Sequence, residues 1–463
     1  MAASYDEQKL AKLNAKNFLF LCLLLIFLLL FSKPTVSFSI VKTLPGFSGS
    51  LPFKLETGYI GVGENEDVQL FYYFIESEGN PREDPLMVWI TGGPGCSALC
   101  GLIFEIGPIR FNIIEYDGSL PTLALNPYSW TKVSSVIFVD SPVGTGFSYS
   151  RTMQGSHTGD TKSADSIYEF LRKWLLSHPI FMANPLYIAS DSYSGRVVPV
   201  IVQKISEGIE AGDKPPLNLK GYLLGNPATD TKFDINSRVP FAHCMAIIPD
   251  ELYESAKRSC KGDYRDIDSS NIQCANDLQK ISNCTEGINQ MHVTIPRCPD
   301  YMWQLLIKRP GDPDHSLCKN YNSFLSHIWA NNATVQKALK VRKGTVRVWK
   351  RCHRDLPYKM DVKSTVSYHF YLNSKGYRAL IYSGDHDMIT PYIGTQLWIK
   401  SLNLSIVDEW RPWLVDDQVG GFTRGYSNHL TFATVKGGGH TAPEYRPKEC
   451  YNMFKRWTSH EPL

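Results

Sequence analysis

Runs of like charge, internal repeats, sustained heptads and metal-ligand spacings are all missing from this chain of 463 residues. Each absence removes a class of function. Lys and Arg are scattered and the formal charge is only +3, so no basic footprint for nucleic acid exists. Without a repeat period or a heptad seam, solenoids and coiled coils are excluded. His, Cys, Asp and Glu nowhere fall into a convincing ligand pattern, so no metal and no cofactor is expected. With 43% hydrophobic and 20% charged residues, disorder is excluded and a sizeable core can be buried. The length suits one large domain with an insertion, or two domains.

The N-terminus is the first sharp feature. Lys9, Lys12 and Lys16 precede an unbroken apolar run from Phe18 to Phe31, with Pro34 beyond it. A basic flank, an apolar stretch of ~7–15 residues and small residues after it describe a secretory signal peptide, here residues 1–37. A retained anchor would need ~20 apolar residues to cross a bilayer, so no stable membrane anchor is expected after cleavage. Cys22 lies inside the signal, which leaves ten of the 11 cysteines for an oxidising compartment. Three sequons, at Asn283, Asn332 and Asn403, fit the same secretory route and are candidate glycosylation sites.

Along the chain, Leu44 to Gln69 reads as turn-rich and Leu70 to Glu76 as a strand. Leu86–Thr91 and Val136–Val139 are continuous apolar runs ending in turn residues, which suits strands buried on both faces of a mostly parallel sheet. Ile167, Phe170, Leu171, Trp174 and Leu175 recur at helical spacing. Leu186–Ala189 and Leu219–Leu224 are further strands, with a helix from Gly195 to Ile205 between them. This alternation predicts an α/β fold with helices on both faces of the sheet. From Lys232 to Thr345 the apolar runs thin out and Cys244, Cys260, Cys274, Cys284, Cys298 and Cys318 crowd in. The expected organisation is therefore a core over 38–231, a disulfide-stapled helical cap over 232–345, and a second core part over 346–463. Strand character returns at Arg378–Tyr382 and Leu430–Val435.

Ser190-Asp-Ser-Tyr-Ser-Gly195 sits between a strand and a helix, with Ser192 at the turn. The nucleophile elbow G-x-S-x-G needs small residues two places either side of the serine; Ser190 and Ser194 meet that demand, and Gly195 comes one place late. A serine hydroxyl needs a base to take its proton and a third group to orient the base. In this architecture the acid and then the histidine follow the serine in the chain. Asp387, with Asp385 as the alternative, closes one strand, and His440 closes another after Gly437-Gly-Gly439; both positions suit the carboxyl edge of an open α/β sheet. His386 reads as a solvated turn residue. Gly92-Gly-Pro-Gly95 follows a buried strand, so the N–H groups of Gly93 and Tyr193 are the expected oxyanion donors.

Taken together, Trp89-Ile-Thr-Gly-Gly-Pro-Gly-Cys96, Val139-Asp-Ser-Pro-Val-Gly-Thr-Gly-Phe-Ser-Tyr149, the elbow, Ser383-Gly-Asp-His-Asp387 and Gly437-Gly-Gly-His-Thr-Ala-Pro443 resemble the serine carboxypeptidase family, in its order and over nearly the whole mature chain. The resemblance implies an α/β-hydrolase core, a helical insertion and glycosylation. It also implies disulfides Cys96–Cys352, Cys260–Cys274 and Cys298–Cys318. Cys100, Cys244, Cys284 and Cys450 fall outside that pattern; a Cys244–Cys284 bridge is a further expectation.

The departures bear on substrate. Peptidase members carry Asn where this chain has Thr91 and Glu where it has Asp191, the groups that hold a peptide's terminal carboxylate. Thr91, Gly92 and Asp191 are the expected substrate-binding residues. Asp140, Thr145 and the His440–Pro443 run resemble the plant acyltransferase-type branch, which moves an acyl group from a 1-O-acyl-β-glucose to an alcohol or amine. The expected partners are thus a small acyl-glucose donor and a hydroxyl or amine acceptor, in the vacuole or outside the cell. Release of C-terminal residues from peptides is the alternative, and a non-catalytic binding protein the second alternative.

Overall fold

The computed structural model describes residues 37–113, 116–298 and 320–463. The expected signal, Ser37 apart, and Cys318 lie outside the described residues.

The apolar runs of the sequence become the middle of a 12-stranded sheet. In chain order its strands are β1 (Ser37–Val41), β2 (Leu55–Val62), β3 (Val68–Ile75), β4 (Leu86–Ile90), β5 (Ser135–Val139) and β6 (Tyr149–Ser150). They continue with β7 (Leu186–Asp191), β8 (Leu219–Gly225), β9 (Arg378–Gly384), β10 (Ile406–Val415), β11 (Gln418–Tyr426) and β12 (Leu430–Val435). Laterally the order is β1-β2-β3-β5-β4-β7-β8-β9-β12-β11-β10, with β6 also beside β3. From β5 to β12 neighbouring strands are parallel. The flanks, β2–β3–β5 on one side and β12–β11–β10 on the other, are antiparallel. This is the α/β-hydrolase type of architecture that the sequence predicts.

Alternation along β3 shows how the faces are covered. Tyr72 and Phe74 meet Phe170 and Trp174 of helix α1 (Asp160–Ser177), at ring distances of 5.6 and 4.8 Å. Phe71 and Tyr73, pointing the other way, join the core that holds Trp130, Phe454 and Trp457. Helix α2 (Val198–Glu210) follows the turn after β7, and α3 (Pro447–Thr458) supplies Phe454 and Trp457.

Of the strands in this sheet, β1, β2, β6, β10 and β11 escaped the sequence reading. Leu44–Gln69 contains β2, which pairs with β3 from Leu55–Ile75 to Val62–Val68. Its glycines suggest a turn, but Gly61 is there because a Cβ would lie 2.7 Å from the Gln69 and Glu66 side chains. The β10–β11 hairpin carries no apolar run because most of β10 is exposed.

The described residues of 232–345, the expected insertion, are mostly helical, with segments Arg238–Cys244, Asp250–Ser259, Ile272–Thr285, Asn320–Asn331 and Ala333–Ala338. Val239, Phe241, Ile248, Ala256 and Ile281 form a separate apolar cluster with Met388. Phe324, Trp329, Val335 and Leu339 instead join the main core. The Trp329 indole donates to the Pro45 carbonyl at 2.8 Å and the Thr57 hydroxyl to the Leu339 carbonyl at 2.7 Å. Cys96–Cys352 and Cys260–Cys274 are bonded. Cys298 is also in a disulfide. The expected Cys244–Cys284 bridge is absent: both are free thiols, each exposed at the C-terminal end of a different helix. No helix among the described residues is long and apolar enough to cross a membrane.

Candidate functional site

The turn after β7 places Ser192 at φ +54°, a left-handed conformation that costs a non-glycine residue energy and must be held by its surroundings. The Ala228 N–H donates to the Ser192 carbonyl at 2.9 Å, and the Ser194 hydroxyl to the Thr91 carbonyl at 3.1 Å. A Cβ on Gly195 would lie 2.6 Å from the Pro227 side chain. The tight approach therefore falls on residue 195, which accounts for a glycine one place later than the usual elbow pattern. Ser190 is wholly buried within β7.

Three residues far apart in the chain meet at the carboxyl ends of β7, β9 and β12. Ser192 Oγ lies 2.6 Å from His440 Nε2, and His440 Nδ1 lies 2.8 Å from Asp387 Oδ2. Asp387 is fully buried. Asp385, the alternative acid, instead accepts the Gly437 N–H at 2.7 Å and so shapes the loop that carries His440. Burial works to lower the His440 pKa, but the charge and hydrogen bond of Asp387, with Asp191 behind them, outweigh it. The imidazole therefore sits above its ordinary 6.5.

Asp387 is itself held, by a residue the sequence reading missed. Asn226, wholly buried at the end of β8, donates through Nδ2 to Asp387 Oδ2 at 2.8 Å and accepts the Gly384 N–H at 3.0 Å. The Ile389 N–H and the Thr390 hydroxyl add donors at 2.8 and 3.0 Å. The Asn226-Pro227 step after a buried strand was the available signal. His386 lies in the turn and is partly exposed, with its ring 5.0 Å from that of His292 and the Thr294 hydroxyl 3.3 Å from its Nδ1.

The insertion reaches this site through Gln290–Val293. The N–H of Met388 donates to the Gln290 carbonyl at 2.9 Å, and that of His440 to the Met291 carbonyl at 2.8 Å. In return the Val293 N–H donates to the His386 carbonyl at 3.0 Å. One strap of the insertion thus ties the loops of the acid and the base together.

On the other side of Ser192, Gly92 packs against the elbow: a Cβ there would lie 2.7 Å from Ser192 Cβ and 2.8 Å from the Tyr193 nitrogen. Tyr193 follows Ser192 in the first turn of a short helix, where N–H groups lack intrahelical acceptors. Gly93 has φ +126°, and the next residues lead to the Cys96–Cys352 bond, which pins the loop. Asp191, buried beside the elbow, accepts the Gly92 N–H through Oδ1 at 2.9 Å. Burial raises its pKa, against the Gly92 hydrogen bond and the His440 charge. The Thr91 hydroxyl accepts the Trp89 indole N–H at 3.1 Å.

Asp140 lies beneath the Gly-rich loop, not in the triad. Its Oδ1 takes the Ser97 hydroxyl and Ala98 N–H at 2.7 and 2.8 Å, and its Oδ2 the Phe147 N–H at 2.8 Å. Burial pushes its pKa up to about 6 despite those donors. Thr145 is buried in the adjoining turn. Of the sequon residues, Asn283 and Asn403 are exposed, whereas Asn332 is partly buried and caps a helix by accepting the Thr334 N–H at 2.9 Å.

A nucleophile, a base and an orienting acid joined by hydrogen bonds, with backbone N–H groups beside the nucleophile, is the apparatus of acyl transfer through a serine ester. Comparison with known proteins agrees. Residues 45–460 match the serine carboxypeptidase family. "Serine carboxypeptidase-like 7" of Arabidopsis thaliana is 53% identical over 97% of this chain and 100% of that protein. "Serine carboxypeptidase-like 1" of the same plant is 54% identical over 95% and 97%. Among solved structures, a prohormone-processing carboxypeptidase of Saccharomyces cerevisiae shares the fold, with TM-score 0.73 and 20% identity over 91% of this chain and 95% of that one. The chain belongs to the serine carboxypeptidase family and is an enzyme of its Ser-Asp-His, hydrolase-type class.

Proposed function

We propose that this protein is a serine carboxypeptidase-like acyltransferase that moves an acyl group from a 1-O-acyl-β-glucose to an alcohol or amine. Ser192 Oγ attacks the ester carbonyl while His440 Nε2 takes its proton and Asp387 orients the imidazole. The N–H groups of Gly93 and Tyr193 receive the oxyanion. The bond to the glucose oxygen breaks, that oxygen takes the proton from His440, and the acyl group remains on Ser192. An acceptor O–H or N–H then gives its proton to His440, takes the acyl group, and returns Ser192 to its free form. Excluding water at this second step is the demand placed on the insertion.

One observation carries the choice of substrate: Thr91 and Asp191 each accept a hydrogen bond from within the protein. The Thr91 hydroxyl accepts from Trp89, and Asp191 Oδ1 accepts from Gly92. Neither supplies the amide donor or long acid that holds a peptide's terminal carboxylate, and a site lacking such partners discriminates poorly for that group. The raised pKa of Asp191 favours the second reading, a carboxypeptidase, because a neutral carboxyl can donate to a carboxylate. Incubating pure protein with acyl-glucoses and with blocked dipeptides separates the two. Glucose release with acyl product is expected; release of C-terminal residues without turnover of any glucose ester would overturn the proposal. A signal-directed secretory route to vacuole or cell exterior, with glycans on the exposed Asn283 and Asn403, belongs to the same reading.

A further inference from the structure

Tyr193 is fixed at both of its ends, and the second fixing point lies on a helix that has no other part in the chemistry. Its hydroxyl donates to Asp160 Oδ1 at 2.8 Å. The same oxygen accepts the Tyr358 hydroxyl at 2.7 Å, and Oδ2 accepts the Val362 N–H at 2.9 Å. Asp160 is wholly buried at the first position of α1. The Tyr193 and Tyr358 rings meet edge to face at 6.1 Å, and the Arg196 guanidinium lies 6.0 Å from the Tyr193 ring centroid. The side chain after the nucleophile is thus held by a buried carboxylate, while its backbone is pressed against Gly92.

We propose that Asp160 is a positioning residue for the oxyanion site: by holding the Tyr193 hydroxyl it fixes where the Tyr193 N–H points. This rests on the reading of Ser192 as nucleophile and Tyr193 as oxyanion donor, and on neither choice of substrate. The strained φ of Ser192 gives the tether a reason, since a left-handed residue at a turn persists only where its neighbours over-determine it. With the tether cut, the elbow can relax and carry the N–H away from the developing oxyanion, whereas ground-state contacts elsewhere are untouched.

The test is acylation by a p-nitrophenyl ester, with active sites counted by organophosphate titration, in wild type, Tyr193→Phe, Asp160→Ala and the double variant. Each single variant is expected to acylate about 10- to 100-fold more slowly at unchanged KM, as for a loosened oxyanion donor. The double variant is expected to be no slower than the worse single, because both cut one tether. Tyr358→Phe, which leaves Tyr193 bound, is expected to stay within about 3-fold of wild type. Lower Tm with unchanged acylation per titrated site would make Asp160 merely structural and overturn the proposal, as would losses that multiply. If Asp160→Ala fails to fold, Tyr193→Phe decides alone. A wild type that neither labels nor acylates would refute the Ser192 reading instead, which separates the two failures.

Discussion

Replacing Asn226 by Asp changes almost nothing in shape but places a second carboxyl against Asp387 in a wholly buried site. In the native protein Asn226 Nδ2 donates to Asp387 Oδ2 at 2.8 Å, and Asn226 Oδ1 accepts from Gly384. Two ionised carboxylates at that distance are untenable, so the pair in Asn226→Asp takes up one proton. A protonated carboxyl at position 226 donates where the amide did and still accepts from Gly384. The penalty is therefore capped by the cost of protonation: about 3 pH units at pH 7, at 1.36 kcal/mol each, or about 4 kcal/mol. At pH 5 the same sum is about 1.5 kcal/mol. The sign follows from linkage. The pair's folded pKa is raised, so the folded variant binds a proton the unfolded chain does not, and its stability falls as pH rises. With unfolding entropy near 2.1 cal/mol/K per residue, a chain of this size moves roughly 1 °C in Tm per kcal/mol. The Tm deficit of Asn226→Asp should thus be about 4 °C at pH 7 and shrink to about 1–2 °C at pH 5. Differential scanning fluorimetry at both pH values reads it directly. A deficit that does not narrow in acid would refute the view that Asn226 acts as a donor to Asp387.

The other expectations concern separate parts of the site. Asp140, pushed up to about 6 from 3.8 by burial, gives stability that is complete below 3.8 and lost as pH rises through 6, up to about 3 kcal/mol. The Tm of wild type relative to Asp140→Asn should therefore be higher at pH 5 than at pH 7.5, and a difference that does not change with pH would count against that burial. Gly92→Ala puts a methyl group 2.7 Å from Ser192 Cβ. Overpacking of about 1–3 kcal/mol is expected, together with loss of organophosphate labelling; full labelling would mean that the elbow yields freely. Asp387→Asn should lower acylation by about 10⁴-fold and move the acid limb of the pH profile downward, because the raised His440 pKa depends on that charge. A limb that stays in place would assign it to another group.

The parallel strands were legible because burial on both faces leaves unbroken apolar runs, as in Leu86–Ile90 and Ser135–Val139. The triad was legible because its members follow such strands in a fixed order. What stayed hidden has physical causes. β2 was masked by the glycines around it, of which Gly61 serves packing rather than turning. The β10–β11 hairpin lies largely exposed and turns at Asp416–Asp417, two residues with positive φ that composition does not mark as a tight turn. Asn226 was missed because its role is set by long-range geometry: Asp387 is 161 positions away in the chain. The same holds for Asp160 and for the strap of the insertion, whose hydrogen bonds to the catalytic loops are made by backbone and leave no residue signature.

That strap changes what the insertion has to be. A cover that merely lay over Ser192 could be exchanged without cost to the triad. Here the carbonyls of Gln290 and Met291 accept from the N–H groups of Met388 and His440, one on each catalytic loop. Val239, Phe241 and Ile281 pack with Met388, so the insertion's own apolar cluster ends on the loop of the acid. Its folding and the alignment of Asp387 with His440 are therefore coupled. Specificity can drift through side chains that line the insertion, while the strap, being backbone, holds the acid and the base in register whatever those side chains become. With the chemistry at the sheet edge and the strap made of backbone, Met291→Ala, which keeps the carbonyl, is predicted to alter substrate preference more than the rate of acylation by a small activated ester. Equal losses in both would mean that the strap acts through its side chains after all.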